Sequence, residues 1–232
     1  MSNGLTTQVE QTAAVDADAI PFEPYYDRDG IVIYNADCRQ VLPHLGEFDL
    51  VLTDPPYGID YQSARRFGNQ RKPKIHGDKE YPVWIFENLK PSVATLAFCR
   101  WDQLHLVPKP KSFIAWDKGR HSMGDLKHEY GRQWEACLFY PGERHAFTKR
   151  PVDVIRVDCV SPDKLMHPNE KPVALMQKLI SHHQCQTILD PFMGSGTTLV
   201  AAKLEGRQAV GIEINEKYCE SAANRLDQGV LF

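Results

Sequence analysis

The sequence predicts an α/β fold built on a largely parallel sheet. Three observations carry that prediction. Short β-branched apolar runs alternate with amphipathic stretches of helical period along most of the chain. Two of those runs lead into an acidic residue followed at once by a Pro- and Gly-containing turn. No internal repeat interrupts the alternation, and no apolar run is long enough to cross a bilayer.

Taken in order, residues 31–34 read as a strand and 37–45 as a helical turn or helix. Residues 48–53 form an apolar strand that Asp54-Pro55-Pro56-Tyr57-Gly58 must end, because two prolines cannot continue a ladder. A polar, basic loop covers 59–78. Helix is expected over 81–89 and 102–109, and strand over 92–99, 112–116, 134–140 and 152–157. Trp134 and Tyr140 are expected in the strand core. From Lys171 onward the pattern sharpens. A helix over 172–183 starts on Pro172, and a strand over 187–189 ends at Asp190. A glycine turn then opens a helix over 197–205, and a strand over 208–212 ends at Glu213. Asn215 caps a last helix that runs to about Leu226.

The 232 residues are 42% hydrophobic and 25% charged, an ordinary globular balance with enough apolar material for one sizeable core. A net charge of -3 neither announces nor excludes a nucleic-acid partner, since local clustering decides that. The six cysteines are scattered without a Cys-x-x-Cys pair, which points to reduced thiols rather than disulfides or zinc. His182, His183 and Cys185 lie close in sequence but are expected on a helix surface, not around a metal. Residues 1–24 are expected as a flexible tail without the features of a signal peptide, and 25–232 as a single domain in a cytoplasmic protein.

Two strings carry chemistry. Asp190-Pro191-Phe192-Met193-Gly194-Ser195-Gly196-Thr197-Thr198 joins a strand to a helix, where glycines let backbone approach a ligand at a helix start. Glu213 closes the next strand and offers two oxygens to a ribose diol. The turn lacks Gly-Lys-Ser/Thr, so it is not a triphosphate-gripping loop. With Glu213, the string resembles the S-adenosylmethionine motif of amino-methylating DNA methyltransferases. His167-Pro168-Asn169-Glu170-Lys171-Pro172 resembles the segment that helps hold the methionine part in that family, and Asn35-Ala36-Asp37-Cys38 resembles its acidic segment facing the cofactor adenine. Ala36 stands where the family usually has Gly.

The second string is Asp54-Pro55-Pro56-Tyr57. An exocyclic amino nitrogen is a poor nucleophile because its lone pair is delocalised into the ring. Asp54 and the Pro55 carbonyl can each accept one of its hydrogens, and Tyr57 can stack on an extruded base. Neither a covalent nucleophile nor a metal is needed. Because this motif precedes the glycine turn, the chain resembles the β class of DNA amino-methyltransferases.

That resemblance, covering residues 31–226, implies a seven-stranded, mostly parallel methyltransferase sheet with one antiparallel strand, helices on both faces and permuted motif order. It implies S-adenosylmethionine as cofactor and catalytic roles for Asp54, Pro55, Pro56 and Tyr57. Cofactor contacts are expected from Asp37, Cys38, Asp54, His167, Lys171, Asp190, Phe192, Gly194, Ser195, Gly196, Thr197, Glu213 and Asn215. An acid at the head of the catalytic motif is more usual for adenine-N6 enzymes and a serine for cytosine-N4 enzymes, so adenine is preferred and cytosine-N4 stays open. A catalytically inactive binding module ranks lower, because both Asp54 and Tyr57 are present. For double-stranded DNA, Arg65, Arg66, Arg71, Lys72 and Lys74 form a run of five cations between 61 and 76 without an acid. Arg120 and Lys127 lie in 118–165, expected as a small target-recognition insert. A homodimer and a separately encoded restriction endonuclease are further partners that the class implies.

Overall fold

The computed structural model describes residues 21–58, 66–67, 70–71, 80–88, 94–121, 127–128, 130–143, 145–159 and 170–228. Their main feature is a nine-stranded sheet. Its centre is made of β2 (Ile31–Asn35), β3 (Leu50–Thr53), β6 (Ala94–Cys99), β10 (Thr187–Asp190) and β11 (Gln208–Glu213), which are parallel to one another. Strand β8 (Trp134–Pro141) runs antiparallel between β6 and β7 (Ser112–Asp117). Strand β1 (Tyr26–Arg28) adds antiparallel at one edge and β9 (Val154–Arg156) adds parallel at the other. The order across the sheet is β1-β2-β11-β10-β3-β6-β8-β7-β9. The seven strands from β2 to β7 make the expected sheet, with β8 as its single reversed member. Both β8 and β9 come from the 118–165 stretch and belong to this main sheet.

The middle strands are mostly apolar because helices cover both faces. Strand β6 is buried at all six positions, and β3 at all four. Side chains still alternate. Leu50, Leu52, Ile188 and Ala209 join one core with α3 (Val173–Ser181), α4 (Thr197–Leu204) and α5 (Glu216–Asp227). Val51, Leu189 and Val210 point the other way, into a smaller core with Tyr34, Phe48 and α1 (Cys38–Val41).

Several local expectations change. Residues 102–109, expected as helix, form only a 3-10 turn at Trp101–Gln103 followed by turns. Pro108 and Pro110 stop a helix there, while Leu104 and Val107 pack beside Tyr81 from the turns. The 81–89 helix shortens to α2 (Ile85–Asn88). Trp134 is 49% exposed rather than part of the strand core, because it starts β8 at the sheet end. His183 and Cys185 are buried rather than on a helix surface. The helix ends before them, and His183 packs between His145, Phe139 and Phe147. In the basic loop, the backbones of β4 (Arg66–Phe67) and β5 (Gln70–Arg71) pair antiparallel. Arg65, Lys72, Lys74 and His167 lie outside the described residues.

At its carboxyl edge, the sheet lines up four acids on four adjacent strands: Asp37 after β2, Glu213 on β11, Asp190 on β10 and Asp54 after β3. Gly58 lets the chain turn away from Asp54. Its φ is +68°, and a Cβ there would lie 2.5 Å from the Tyr81 backbone nitrogen. Gly58→Ala is expected to cost about 1–3 kcal/mol of stability, measured by denaturant unfolding, and to lower catalytic output more than cofactor affinity. Leu96→Ala, in the fully buried centre of β6, is expected to cost about 2–5 kcal/mol by the same measurement.

Candidate active site

A cavity of about 530 Å³ opens over that carboxyl edge, within the usual range of small-molecule sites. One end is walled by Asp37, Cys38, Phe192, Gly194, Glu213 and Asn215. The other holds Asp54, Pro55, Pro56, Tyr57 and Lys171. The motifs placed apart in the sequence thus share one wall. Their join is a hydrogen bond from the Thr53 hydroxyl to Asp190, 2.8 Å long and buried. Burial pushes the Asp190 carboxyl up to about 6, although it also accepts from the Phe192 amide.

The glycine-turn end is a set of backbone and carboxylate partners. Glu213 accepts from the Gly194 amide at 3.1 Å and the Asn215 amide at 2.8 Å, which fixes its carboxylate at the cavity rim. Asn215 caps α5 by accepting from the Lys217 amide. Asp37 caps α1 and is ion-paired with Arg39. Ser195 and Thr197 line the cavity but are also gripped from behind. The Arg225 guanidinium donates to the Ser195 carbonyl at 2.9 Å and to the Thr197 hydroxyl at 3.3 Å, and it pairs with Glu170 at 2.9 Å. Gly196 differs from its neighbours in not lining the cavity. Its φ is +79°, and a Cβ there would lie 2.6 Å from that of Ala222, so its place is to let α5 close on the turn. The Cys38 thiol is buried and pushed up to about 12, chiefly by burial, so it behaves as an apolar wall. A rim carboxylate facing a turn of amides, with an aromatic Trp84–Phe192 pair beside them, fits an adenosyl and amino-acid ligand by its donor set.

The catalytic end is more tightly wired than the motif alone implies. Asp54 accepts from the Tyr57 hydroxyl at 2.7 Å and pairs with Lys171 at 2.6 Å. The Gln103 amide donates to the Tyr57 carbonyl and so pins the turn. Lys171, expected at the cofactor, is 4% exposed and aims its ammonium at Asp54 and at Glu135 of β8, 3.1 Å away. It also sits 4.8 Å from the centre of the Phe98 ring. Burial pushes Lys171 down, but the two carboxylates outweigh it and hold the ammonium above the ordinary lysine value. Glu135 feels burial as well, yet Lys171 and Lys118 pull it down to about 2. Burial, joined by the repulsion of Glu135, holds Asp54 above the ordinary aspartate value against the pull of Lys171.

Glu135, Lys118, Gln103 and Arg225 escape a reading of the sequence, since each is a lone polar residue within or beside an element. Only the oddity of a Glu inside an otherwise apolar strand, Trp134–Pro141, draws attention to Glu135. Arg120 and Lys127 are exposed on the segment after β7 and neither lines the cavity. Only backbone is described for Arg66 and Arg71.

The comparisons with known proteins agree with this geometry. A family model described as DNA methylase matches residues 125–224. The chain is 44% identical over 214 residues to type II methyltransferase M.HpaI of Haemophilus parainfluenzae, covering 77% of this chain and 68% of that protein. It is 26% identical to type II methyltransferase M.ScaI of Streptomyces caespitosus, over 88% of this chain and 84% of that protein. Among solved structures, M1.HpyAVI in complex with S-adenosylmethionine superposes with a TM-score of 0.63 at 27% identity, covering 84% of this chain and 99% of that one. The fold is also shared with the cytosine-N4-specific PvuII DNA methyltransferase, at a TM-score of 0.67 and 16% identity over 91% of this chain and 92% of that one. With its two motifs brought to one cavity and a relative this similar over most of its length, the chain belongs to the S-adenosylmethionine-dependent DNA methylase family.

Proposed function

We propose that the protein methylates the N6 amino group of adenine in double-stranded DNA, at a specific site and on a base flipped out of the helix. The observation that carries the choice of base is Asp54, a carboxylate held at the cavity wall by Lys171 and Tyr57. S-adenosylmethionine supplies an electrophilic methyl group when bound. Asp54 and the Pro55 carbonyl accept the two amino hydrogens, which frees the nitrogen lone pair for attack. The amino nitrogen would take the methyl group from the sulfur, which would keep the bonding pair, and would release one proton to water. Tyr57 stacks on the flipped base with its ring while its hydroxyl steadies Asp54.

Glu213, Asp37, Phe192, Gly194, Ser195, Thr197 and Asn215 hold the cofactor in this reading, and Asp190 braces the wall between cofactor and base. Arg65, Arg66, Arg71, Lys72 and Lys74 grip phosphates next to the catalytic turn, and Arg120 and Lys127 extend that grip from the 118–165 stretch, which reads the target. Cytosine-N4 methylation uses the same acceptors and is the second reading. The likeness to the PvuII enzyme is one of fold, and a serine at the head of the motif would favour that base more than Asp54 does. A homodimer and a separately encoded endonuclease are further partners in this reading, and what supports them is the resemblance to the class rather than any contact in the structure.

Expression in a methylation-free bacterial host, with modified bases mapped by single-molecule sequencing, is expected to show N6-methyladenine at one short sequence. Asp54→Ala is expected to abolish the mark while leaving S-adenosylmethionine binding within about threefold of wild type. A map of N4-methylcytosine would move the assignment to the second reading, and a map with no modified base would remove the activity.

A further inference from the structure

The catalytic motif accounts for Asp54 and Tyr57 but not for the charges stacked behind them. Four side chains alternate in sign: Asp54, Lys171, Glu135 and Lys118. Lys171 lies 2.6 Å from Asp54 and 3.1 Å from Glu135, and Lys118 donates to the other oxygen of Glu135. They come from the turn after β3, the segment before α3, β8 and the residue after β7. Lys171 is almost wholly enclosed, and Glu135 keeps about a quarter of its side-chain surface. Burying such a row is costly unless each charge is met by its opposite, so the arrangement calls for a use.

We propose that Glu135 and Lys118 are positioning residues of the methyl transfer: Glu135 keeps the Lys171 ammonium charged and aimed at Asp54, and Lys118 offsets the negative charge of Glu135 so that Asp54 stays an ionised acceptor. The inference rests on the reading of Asp54 as the group that accepts amino hydrogens. A protonated Asp54 would offer a donor where an acceptor is needed. Its position invites protonation, because it stands in a buried wall near Asp190. Lys171 opposes that, provided the ammonium keeps its own proton and stays turned toward the motif. Glu135 secures both, since it gives the ammonium a second anion on the side away from the cavity. Lys118 in turn keeps Glu135 from adding an unbalanced negative charge behind Asp54. Among the described residues, the other titratable groups that face this row are the hydroxyls of Tyr57 and Tyr81, the Cys137 thiol on β8 and Asp190 on β10. Burial holds the three protonated groups above their ordinary ranges, so none competes as the acceptor.

The signs of two substitutions separate this role from packing. Glu135→Gln removes a negative charge behind Lys171, so both Asp54 and Lys171 give up their protons more easily. The acid limb of the kcat profile is expected to move to lower pH by about 0.5–1. Lys118→Met removes a positive charge and moves the same limb the opposite way, to higher pH by a similar amount. A purely structural role would lower kcat in both variants with the limb unmoved.

The measurement is transfer of labelled methyl from S-adenosylmethionine to genomic DNA of a methylation-free strain, as kcat against pH, with the KM for S-adenosylmethionine followed alongside. Opposed shifts with KM within about threefold of wild type support the proposal. Limbs that stay in place, or move together, overturn it while leaving the methyltransferase reading intact. A substrate-free readout runs in parallel on the folded full-length protein. The side-chain ammonium resonance of Lys171, assigned by its loss in Lys171→Arg, is expected to persist above the ordinary lysine range in wild type and to titrate at lower pH in Glu135→Gln. An unchanged titration overturns the proposal even if no DNA substrate is methylated.

Discussion

A single buried ammonium organises the catalytic end of this protein. Lys171 has left water almost completely, and an unpaired ammonium in such a place would cost several kcal/mol. The cost is offset by Asp54 on one side and Glu135 on the other, with the face of the Phe98 ring against the same group. Three remote stretches of chain must therefore arrive together before any one of their charges is tolerable. The turn after β3 is in that sense a tertiary product. The prolines set its shape, and Lys171 sets the direction and charge of its acid.

The sheet makes that meeting possible. Parallel strands present their carboxyl ends to one edge, and β2, β11, β10 and β3 lie side by side in that order. An acid at or just past the end of each becomes one row, with the cofactor motif and the catalytic motif as neighbours joined by Thr53 and Asp190. Permutation of the motifs along the chain has no consequence for this row. Strands β10 and β3 pair directly, Ile188 beside Leu50 and Leu189 beside Val51, however far apart they lie in the chain. Antiparallel β8 then carries Glu135 in from the opposite direction, behind the acids rather than among them.

What is legible in the sequence is what depends on neighbours along the chain. Strands such as β6 and β10 show as apolar runs, and Asn215 as a cap, because period and capping are local. Asp54-Pro55-Pro56-Tyr57 and the turn around Gly194 show as contiguous strings. Strand β1 does not, since Tyr-Asp-Arg has no apolar run and owes its pairing to β2. The spacing over 102–109 suits a helix, but Pro108 and packing against Tyr81 outweigh it. The motif around Lys171 points to the cofactor and says nothing of where the ammonium aims. Glu135, Lys118, Lys171 and Arg225 act across 17 to 117 residues of separation, which no local pattern encodes.

Whether Lys171 serves Asp54 or the cofactor decides how this site works, and Lys171→Met tests that most directly. On protein shown to be folded by near-ultraviolet circular dichroism, S-adenosylmethionine affinity and methyl transfer to DNA at saturating cofactor are measured side by side. A lysine that serves Asp54 predicts affinity within about threefold of wild type and transfer reduced by about a hundredfold or more. Lost affinity with transfer restored at saturating cofactor would contradict that role and return Lys171 to the cofactor.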